Sequence, residues 1–395
     1  MYRLQGVIQH YAWGGNHFLS TLLNHDNSAN KPYAEYWLGV HPGGPGMVQL
    51  GEGGYTQLSN LINSDKKKHL GATTLQQFNG LPFLLKILDV KDMLSIQVHP
   101  NKERAKMGYE KEEALGIHLS ASNRNYKDQN HKPEVMVALS DFWLLHGFAA
   151  DIPHRLNEYT FLQEFLPIFQ SGGIKALFEY LLNLPIERSN QILSDLAEQI
   201  IPLYQQGTFN KESPDFWAAR AMLNLCTEGN YDKGIFSIYL MNILHLQPGE
   251  GIFQGAGLLH AYLEGQNVEL MSNSDNVLRA GLTPKHIDIK ELMDNTDFVS
   301  TNPLIIQNSL NKTVHNYPCS TADFSIQKVS LEPGEQWNMC YDGPSILLQL
   351  KGEVECEGYS HYSAKGLAAF FIDASEPIAC NAKASTDIFI ATVPV

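Results

Sequence analysis

The spacing of apolar residues changes twice along the chain. Residues 1 to about 148 carry short apolar runs, such as LPFLLKILDV and PEVMVAL, between Gly- and Pro-rich turns, which is typical of β-strands. One charged helix is predicted within this part, over residues 101–116. From 153 to about 230 apolar residues recur at spacings of three and four, which indicates a helical module. From about 235 the strand pattern returns.

The helical module also carries signals for where its helices begin and end. Pro185 precedes IERSNQILSDL, and Ser213 with Pro214 fits an N-cap followed by the first helical residue. Gly207 and Gly229 stand where helices are expected to stop. The module is therefore predicted to contain several separate helices.

Two segments of the strand-rich parts resemble each other. LHLQPGEGIF at 244–253 is echoed by VSLEPGEQWN at 329–338, which suggests a repeated unit. After the second copy come PSILLQLKGEVECEG and AAFFIDA, spaced like the strands of a β-sandwich or barrel. A helix over 283–295, with Thr283 as N-cap, is expected to join the two units.

These patterns predict a mainly β fold with an α insert. With 395 residues the chain exceeds what one compact core usually holds. We expect two β-sandwich domains and one helical domain. The first β domain takes residues 1–150 and 235–295, the helical domain 151–234, and the second β domain 296–395.

Composition narrows the possible partners and the compartment. The 28 Lys and Arg against 42 Asp and Glu give a net charge of -14, which argues against nucleic-acid and membrane partners. A small anionic substrate is compatible with it, because a few converging cations can dominate a cleft. The 5 cysteines show no Cys-x-x-Cys spacing, and no signal peptide or long apolar span is visible. We expect a cytoplasmic monomer that binds a small molecule.

Four polar residues stand at the ends of apolar strands. Gln97 and His99 are two apart in SIQVHP, so they point to one face of a strand. Glu134 opens the apolar run VMVAL, and His260 follows another in GLLHAYLEG. Taken singly, each has an ordinary structural interpretation: a hydrogen-bonded rim, a carboxylate reaching solvent, or a core histidine. Together, two imidazoles, one carboxylate and one amide oxygen suit a divalent ion such as zinc.

Cationic residues occur in or near the same segments. Lys86 lies within LPFLLKILDV, where it either reaches out to solvent or faces a cleft that holds an anion. Lys132 is two residues before Glu134, and Arg279 and Lys285 follow His260. Arg279 has a structural alternative, a salt bridge to Asp275 or Glu269. A phosphorylated substrate would use such a set of cations.

Long stretches of the chain resemble the type I mannose-6-phosphate isomerases, or phosphomannose isomerases, zinc enzymes of the cupin superfamily. The stretch YKDQNHKPE (126–134) fits the first family signature, and HAYLEGQNVELMSNSDNVLRAGLTPK (260–285) fits the second. The resemblance implies two cupin-like jelly-roll domains, of which the C-terminal one lacks metal. It also implies one zinc ion bound by Gln97, His99, Glu134 and His260.

The reaction that the resemblance implies is the interconversion of mannose 6-phosphate and fructose 6-phosphate through a cis-enediol. Such a reaction needs an electrophile and a group that moves a proton between carbons 1 and 2. Arg279 is expected to stabilise the enediolate. Lys86 with Ser95, which lies on the same strand face as Gln97, is expected to bind the phosphate, and Lys285 is a further substrate-binding candidate.

The proton carrier stays open at this point. Its candidates are Lys132, His131, Glu269 and a zinc-bound hydroxide. Tyr262 is expected to orient the sugar through its hydroxyl, with a role in the core as the alternative. The competing function is a regulatory cupin that binds a sugar phosphate without turnover.

Overall fold

Three layers of antiparallel β-sheet and a helical insert form the architecture of the computed structural model. It describes residues 1–51, 53–307, 313–358 and 361–394. The part before the insert contains the following elements: β1 (Tyr2–Gln5), β2 (Val7–Gln9), α1 (Phe18–Leu22), β3 (Glu35–Leu38), β4 (Met47–Leu50), β5 (Gly54–Gln57), α2 (Leu58–Ser64), α3 (Lys66–Phe78), β6 (Phe83–Val90), β7 (Ile96–Val98), α4 (Lys102–Ala114), β8 (Glu134–Ala138) and β9 (Phe142–Phe148).

The helical insert and the rest of the chain follow. The insert contains α5 (Ile152–Glu158), a 3₁₀ turn (Thr160–Phe165), α6 (Leu166–Asn183), α7 (Ile186–Gln205), α8 (Pro214–Leu225) and α9 (Gly234–Leu240). After it come β10 (Met241–Leu246), β11 (Gly251–Gln254), β12 (His260–Ser272), β13 (Leu278–Gly281), α10 (Ile289–Asn295), β14 (Val314–Tyr317), β15 (Ser325–Leu331), β16 (Gln336–Met339), β17 (Ser345–Lys351), β18 (Glu353–Glu357), β19 (His361–Lys365), β20 (Ala368–Ile372), β21 (Ile378–Ala382) and β22 (Thr386–Thr392).

The ten-stranded sheet carries the residues of interest. Its main path runs β10-β9-β12-β6-β3-β2, with β7, β8, β11 and β13 attached beside it. β6 lies between β12 and β3, and all eight of its residues are buried. Because strand side chains alternate, Leu85 and Ile87 point into the apolar core while Lys86 points to the opposite face.

The eight-stranded sheet is the middle layer. Its order is β14-β15-β22-β17-β20-β1-β4-β5, and its central strands β22, β17 and β20 are buried on both faces. Ile346 and Leu348 of β17 face the ten-stranded sheet, whereas Leu347 faces the four-stranded sheet β16-β21-β18-β19. Burial on both faces explains the uninterrupted apolar run in this strand. The strands β1, β4 and β5, from the first 57 residues, belong to this sheet, so two distant parts of the chain build it together.

The mainly β fold with a helical insert is confirmed. The domain boundaries at 150/151, 234/235 and 295/296 stay predictions. Ser213 is the N-cap of α8, because its hydroxyl accepts a hydrogen bond from the Asp215 backbone N–H. The PGE turns match as well: Gly249 and Gly334 adopt φ of 89° and 87°, a region that favours glycine.

Three expectations about helices were wrong. The joining helix begins at Ile289 and its N-cap is Asp288, which accepts from Glu291 N–H, whereas Thr283 forms only a short turn. Helices α2 and α3 occupy residues 58–78, where only strands were expected. Helix α9 extends the helical part to Leu240, because its side chains complete the core of the insert.

Candidate active site and metal centre

The polar residues of the ten-stranded sheet share one face because of strand alternation. Glu35 and Trp37 on β3, Lys86 on β6, Glu134 on β8 and Glu269 on β12 all point away from the apolar core. The register places these strands side by side, with Glu269 opposite Lys86 and Lys86 opposite Trp37. The sheet therefore assembles a polar surface from residues that are distant in sequence.

His99, Glu134 and His260 form a compact group that could hold a metal ion. The potential ligand atoms of these three buried residues lie within 4.8 Å of one another. Oε1 of Glu134 lies 3.4 Å from His99 Nε2, and Oε2 lies 3.3 Å from His260 Nε2. The spacing leaves one position that faces all three groups.

Neighbouring backbone carbonyls orient both imidazoles of this group. Nδ1 of His99 lies 2.8 Å from the Asn276 carbonyl oxygen, and Nδ1 of His260 lies 3.0 Å from the Leu258 carbonyl oxygen. A ring that donates from Nδ1 keeps Nε2 unprotonated for a metal ion. Nε2 of His99 is buried without a hydrogen-bond partner among the described residues. A zinc ion would satisfy it, so the donor set fits the predicted cofactor.

Gln97 completes the predicted ligand set from the neighbouring strand. β7 pairs with β12 so that Gln97 stands opposite His260, and its Nε2 lies 3.4 Å from His260 Nε2. A carboxamide can be turned by 180° with little change in shape, which presents its oxygen to the same position. The structure therefore brings together all four residues that were predicted as ligands.

Electrostatics favour a charged Glu134 carboxylate and a neutral His99 imidazole at this centre. Burial lowers the pKa of His99 to about 4. Burial also acts to raise the pKa of Glu134, but the Lys132 ammonium and the imidazoles outweigh it and hold that pKa well below its usual value. Lys132 Nζ lies 2.9 Å from Glu134 Oε1. These are the protonation states that a metal ion requires of its ligands.

A cavity of about 640 Å³ opens beside this group. The predicted residues that line it are Lys86, Ser95, Gln97, Lys132, Glu134, Tyr262, Glu269, Arg279 and Lys285. His131 is not among them, because its Nε2 lies 3.0 Å from Asp323 Oδ2, on another part of the protein. The predicted site residues therefore line the cavity, apart from three histidines. His99 and His260 are buried beside it, whereas His131 lies elsewhere.

Lys86 is tied to carboxylates within the cavity. Its Nζ lies 2.9 Å from Glu269 Oε2 and 3.6 Å from Glu35 Oε2. Burial acts to lower the pKa of Lys86, but these carboxylates, Glu269 first, raise it well above its usual value. The lysine that was expected either to reach solvent or to face a bound anion is therefore charged and paired inside the protein.

Glu269 stands at the centre of a buried network. Its Oε1 accepts a hydrogen bond of 2.7 Å from the Tyr262 hydroxyl, and its Oε2 accepts from Lys86. Burial raises the pKa of Glu269, and Lys86 offsets this only in part. A carboxylate with a raised pKa is a stronger base than an ordinary glutamate and can take up and return a proton.

Arg279 and Lys285 are the cations of the cavity that lack an acidic partner among the described residues. Burial lowers the pKa of both, and the Arg279 charge adds to the effect on Lys285. Asp275, which was weighed as a partner of Arg279, lies 3.2 Å from His41 Nε2 instead. Two unpaired cations beside each other are suited to a dianionic group such as a phosphate.

Reasoning from the sequence overlooked several residues that line the cavity. Glu35, Trp37 and His41 come from AEYWLGVH, and the Trp37 indole N–H donates to Glu35. Alternation in this short strand could have indicated that Glu35 and Trp37 share a face. The link to Lys86 could not be found in the same way, because it depends on pairing between β3 and β6.

Comparisons with known proteins agree with this geometry. The family model described as phosphomannose isomerase type I, catalytic domain, matches residues 1–150. The chain is 36% identical over 385 residues to the mannose-6-phosphate isomerase of Escherichia coli, covering 95% of each chain. It is 32% identical over 396 residues to the human enzyme, covering 90% of this chain and 88% of that one.

Solved structures show the same likeness over the whole chain. Mannose 6-phosphate isomerase from Salmonella typhimurium, bound to its substrate fructose 6-phosphate and to zinc, superposes with a TM-score of 0.88 at 31% identity. The match covers 100% of both chains. Another structure of a mannose 6-phosphate isomerase, bound with zinc and yttrium, gives the same TM-score and identity.

Proposed function

The chain belongs to the type I phosphomannose isomerase family, and from this premise we propose that it interconverts D-mannose 6-phosphate and D-fructose 6-phosphate with one zinc ion. The observation that carries the proposal is the buried His99, Glu134 and His260 group at the wall of a cavity that holds unpaired cations. A regulatory protein that only binds a sugar phosphate would not need both a metal centre and a buried carboxylate with a raised pKa. The catalytic function is therefore favoured over the regulatory alternative.

Gln97, His99, Glu134 and His260 would hold the zinc ion. When bound, zinc supplies an electrophile for the sugar oxygens at carbons 1 and 2. Glu134 brings the negative charge of the ligand set, and the nearby Lys132 ammonium keeps this carboxylate ionised. Lys132 thus has a supporting role that does not require it to lose its proton.

We assign the proton transfer to Glu269. Its raised pKa suits a group that removes the proton from carbon 2 of the aldose and returns it to carbon 1 through the cis-enediol. The Tyr262 hydroxyl and the Lys86 ammonium hold its two oxygens in place. Lys132 remains the second candidate, whereas His131, paired with Asp323, is not favoured.

We assign the phosphate group to Arg279 and Lys285, with Ser95 as an additional hydrogen-bond donor. These cations lack an acidic partner among the described residues, so a dianion would neutralise them. Lys86 fits this role less well than the sequence suggested, because two carboxylates already surround it. It holds Glu269 in position instead.

A coupled assay with mannose 6-phosphate tests the proposed reaction. Turnover to fructose 6-phosphate is expected in the zinc-loaded protein, to be lost after treatment with a chelator and to return with added zinc. The control is a protein sample taken through the chelator step without chelator. Binding of mannose 6-phosphate without turnover would favour the regulatory alternative and contradict the proposal.

The length and composition of the helices bear on a membrane partner. Within the described residues, none of the helices is long and apolar enough to cross a membrane. The monomeric state stays a prediction.

A further inference from the structure

A second cavity, of about 560 Å³, lies on the side of β3 opposite to the active-site cavity. Its walls come from Arg3–Gln5 in β1, from residues 22–25 at the end of α1, from Tyr36 and Tyr55, and from residues 365–369, which span the end of β19 and the start of β20. The first and last parts of the chain thus meet around it. Its volume is close to that of the active-site cavity and is sufficient for a small metabolite.

The second cavity is positively charged, although the chain as a whole is acidic. Arg3, His25 and Lys365 line it, and none of the described residues that line it is an Asp or Glu. Arg3 forms no ion pair or side-chain hydrogen bond with any described residue. Lys365 has a distant contact of 3.9 Å with Glu353, and 84% of its side chain is exposed, so this contact holds it only weakly.

Tyr36 adds a buried polar group to the wall. It is only 7% exposed, and its hydroxyl oxygen accepts a hydrogen bond of 2.7 Å from the Gly6 backbone N–H. The hydroxyl proton has no acceptor among the residues that the structure describes. Burial raises the pKa of Tyr36, so this hydroxyl keeps its proton. A buried donor without an acceptor is unfavourable unless a ligand or water supplies one.

We propose that the second cavity is a binding site for a small phosphorylated molecule, separate from the substrate site. The phosphate would lie between Arg3 and Lys365 and accept a hydrogen bond from the Tyr36 hydroxyl, while the apolar side chains of Leu22 and Leu23 contact the remainder. Free orthophosphate and a phosphate monoester share this recognition chemistry. The apolar part of the wall favours the monoester.

The position of Tyr36 connects this site to the substrate cavity. Its neighbours on β3, Glu35 and Trp37, line the substrate cavity, and Glu35 lies 3.6 Å from Lys86 Nζ. One strand therefore separates the two cavities, and its alternate residues face one or the other. A ligand that shifts Tyr36 acts on the surroundings of Lys86. This connection to activity rests on the proposed function, whereas the binding site itself does not.

Counting bound phosphate tests the proposal. Equilibrium dialysis with radiolabelled orthophosphate, at constant ionic strength, is expected to show two sites in the full chain. Removing Arg3 and Lys365 together (Arg3→Gln with Lys365→Gln) should leave one site. Removing Arg279 and Lys285 (Arg279→Gln with Lys285→Gln) should abolish the other. If the replacement of Arg279 and Lys285 removes no site, that result counts against the proposed function and not against this proposal.

Three further measurements sharpen the result. Tyr36→Phe keeps the ring but loses the hydroxyl, and we expect it to weaken the second site about 10-fold. A matched control removes two exposed cations that line neither cavity, Lys67→Gln with Arg104→Gln, and should keep both sites. n-Butyl phosphate in place of orthophosphate distinguishes the two sources, because its alkyl group can contact the apolar side chains of the wall and should make the monoester bind more tightly.

A single orthophosphate site in the unmodified chain, lost on replacement of Arg279 and Lys285, would overturn the proposal. Two sites that persist after Arg3 and Lys365 are replaced would overturn it as well. Circular dichroism and the thermal unfolding midpoint of each variant establish that a lost site does not reflect a lost fold. Because Arg3 and Lys365 are exposed, their replacement should leave the midpoint nearly unchanged.

Discussion

The two Pro-Gly-Glu turns are close structural copies, whereas the strands that they join face very different interiors. In the first, Glu250 Oε2 accepts a hydrogen bond of 2.8 Å from Gln247 N–H. In the second, Glu335 Oε2 accepts one of 2.8 Å from Glu332 N–H. Both turns therefore use the same carboxylate to close the same backbone loop, and the predicted repeat has a physical basis.

The interiors beside these turns differ in charge. β11, which follows the first turn, pairs with β8 and so leads to Glu134, in a face that also holds Lys86 and Glu269. The core around β16, which follows the second turn, is built from apolar residues such as Leu347 and Phe370. The same type of turn is thus followed by a strand beside the polar site in the first unit and by a strand beside an apolar core in the second. Buried charges reduce stability unless they are paired, and on the polar face Lys86 is paired with Glu269.

Replacing one residue at the metal centre and one in the apolar core around β16 should separate effects on activity from effects on stability. His99→Ala is expected to remove zinc and lower kcat by roughly 100-fold or more, because the metal centre loses a ligand. Leu347→Ala should instead reduce the free energy of unfolding by about 2–5 kcal/mol and leave the kcat of the folded protein nearly unchanged. Zinc analysis, steady-state kinetics and urea unfolding measure these effects. An active, zinc-containing His99→Ala protein would refute the ligand assignment.

Breaking the buried pair between Lys86 and Glu269 should show what buried charge costs. Lys86→Met leaves the carboxylate without its ammonium partner and is expected to lower the free energy of unfolding by about 3–5 kcal/mol. The double variant Lys86→Met with Glu269→Gln should recover much of this loss, since Glu269, the nearest partner of Lys86, no longer carries an unpaired buried charge. Urea unfolding of both proteins checks the expectation. A double variant as unstable as the single one would show that packing, not charge, is responsible.

Acid should destabilise the ten-stranded sheet more than the apolar core around β16. Burial lowers the pKa of His99 and of His146 to about 4, below the unfolded value near 6.5. The unfolded chain therefore binds more protons between these values, and stability falls as the pH is lowered from about 6.5 to 4. The slope is up to about 1.4 kcal/mol per pH unit for each imidazole.

The measurement is urea unfolding of the zinc-free protein at a series of pH values. His146→Gln should reduce the slope, because one of the two imidazoles is gone. His361→Gln, at an exposed position of the C-terminal part, is the matched control and should leave the slope unchanged. Equal slopes in all three proteins would contradict the assignment of the acid sensitivity to buried imidazoles.

The smallest expected effect tests the likeness of the two turns. Glu250→Gln and Glu335→Gln each weaken one side-chain to backbone hydrogen bond and should each cost about 0.5–1.5 kcal/mol of unfolding free energy. The two costs should agree, and kcat should not change in either variant. A loss of activity in Glu250→Gln alone would mean that this turn also positions the catalytic face.

Local signals in the sequence account for much of the fold. Ser213 and Pro214 begin a helix as predicted, since an N-cap depends only on neighbouring residues. Helices α2 and α3 were missed because LSNLINSDKKKHLGATTLQQF is mostly polar and buries only a few side chains. The start of α10 was misplaced for a similar reason: Thr283-Pro284 and Asp288 are both acceptable N-cap signals, and packing selects the second.

By itself, the sequence determined the strand and helical regions, the repeated turn and, through the family signatures, the four predicted zinc ligands. Only the tertiary structure decided which partners the charged residues have. Lys86 and Glu269 are 183 residues apart, and their contact exists because β6 and β12 pair in one register. Similarly, His131 turns to Asp323 although it adjoins Lys132 in the chain. Local patterns specify elements, whereas the pairing of distant strands sets which side chains meet, and that pairing depends on the whole core.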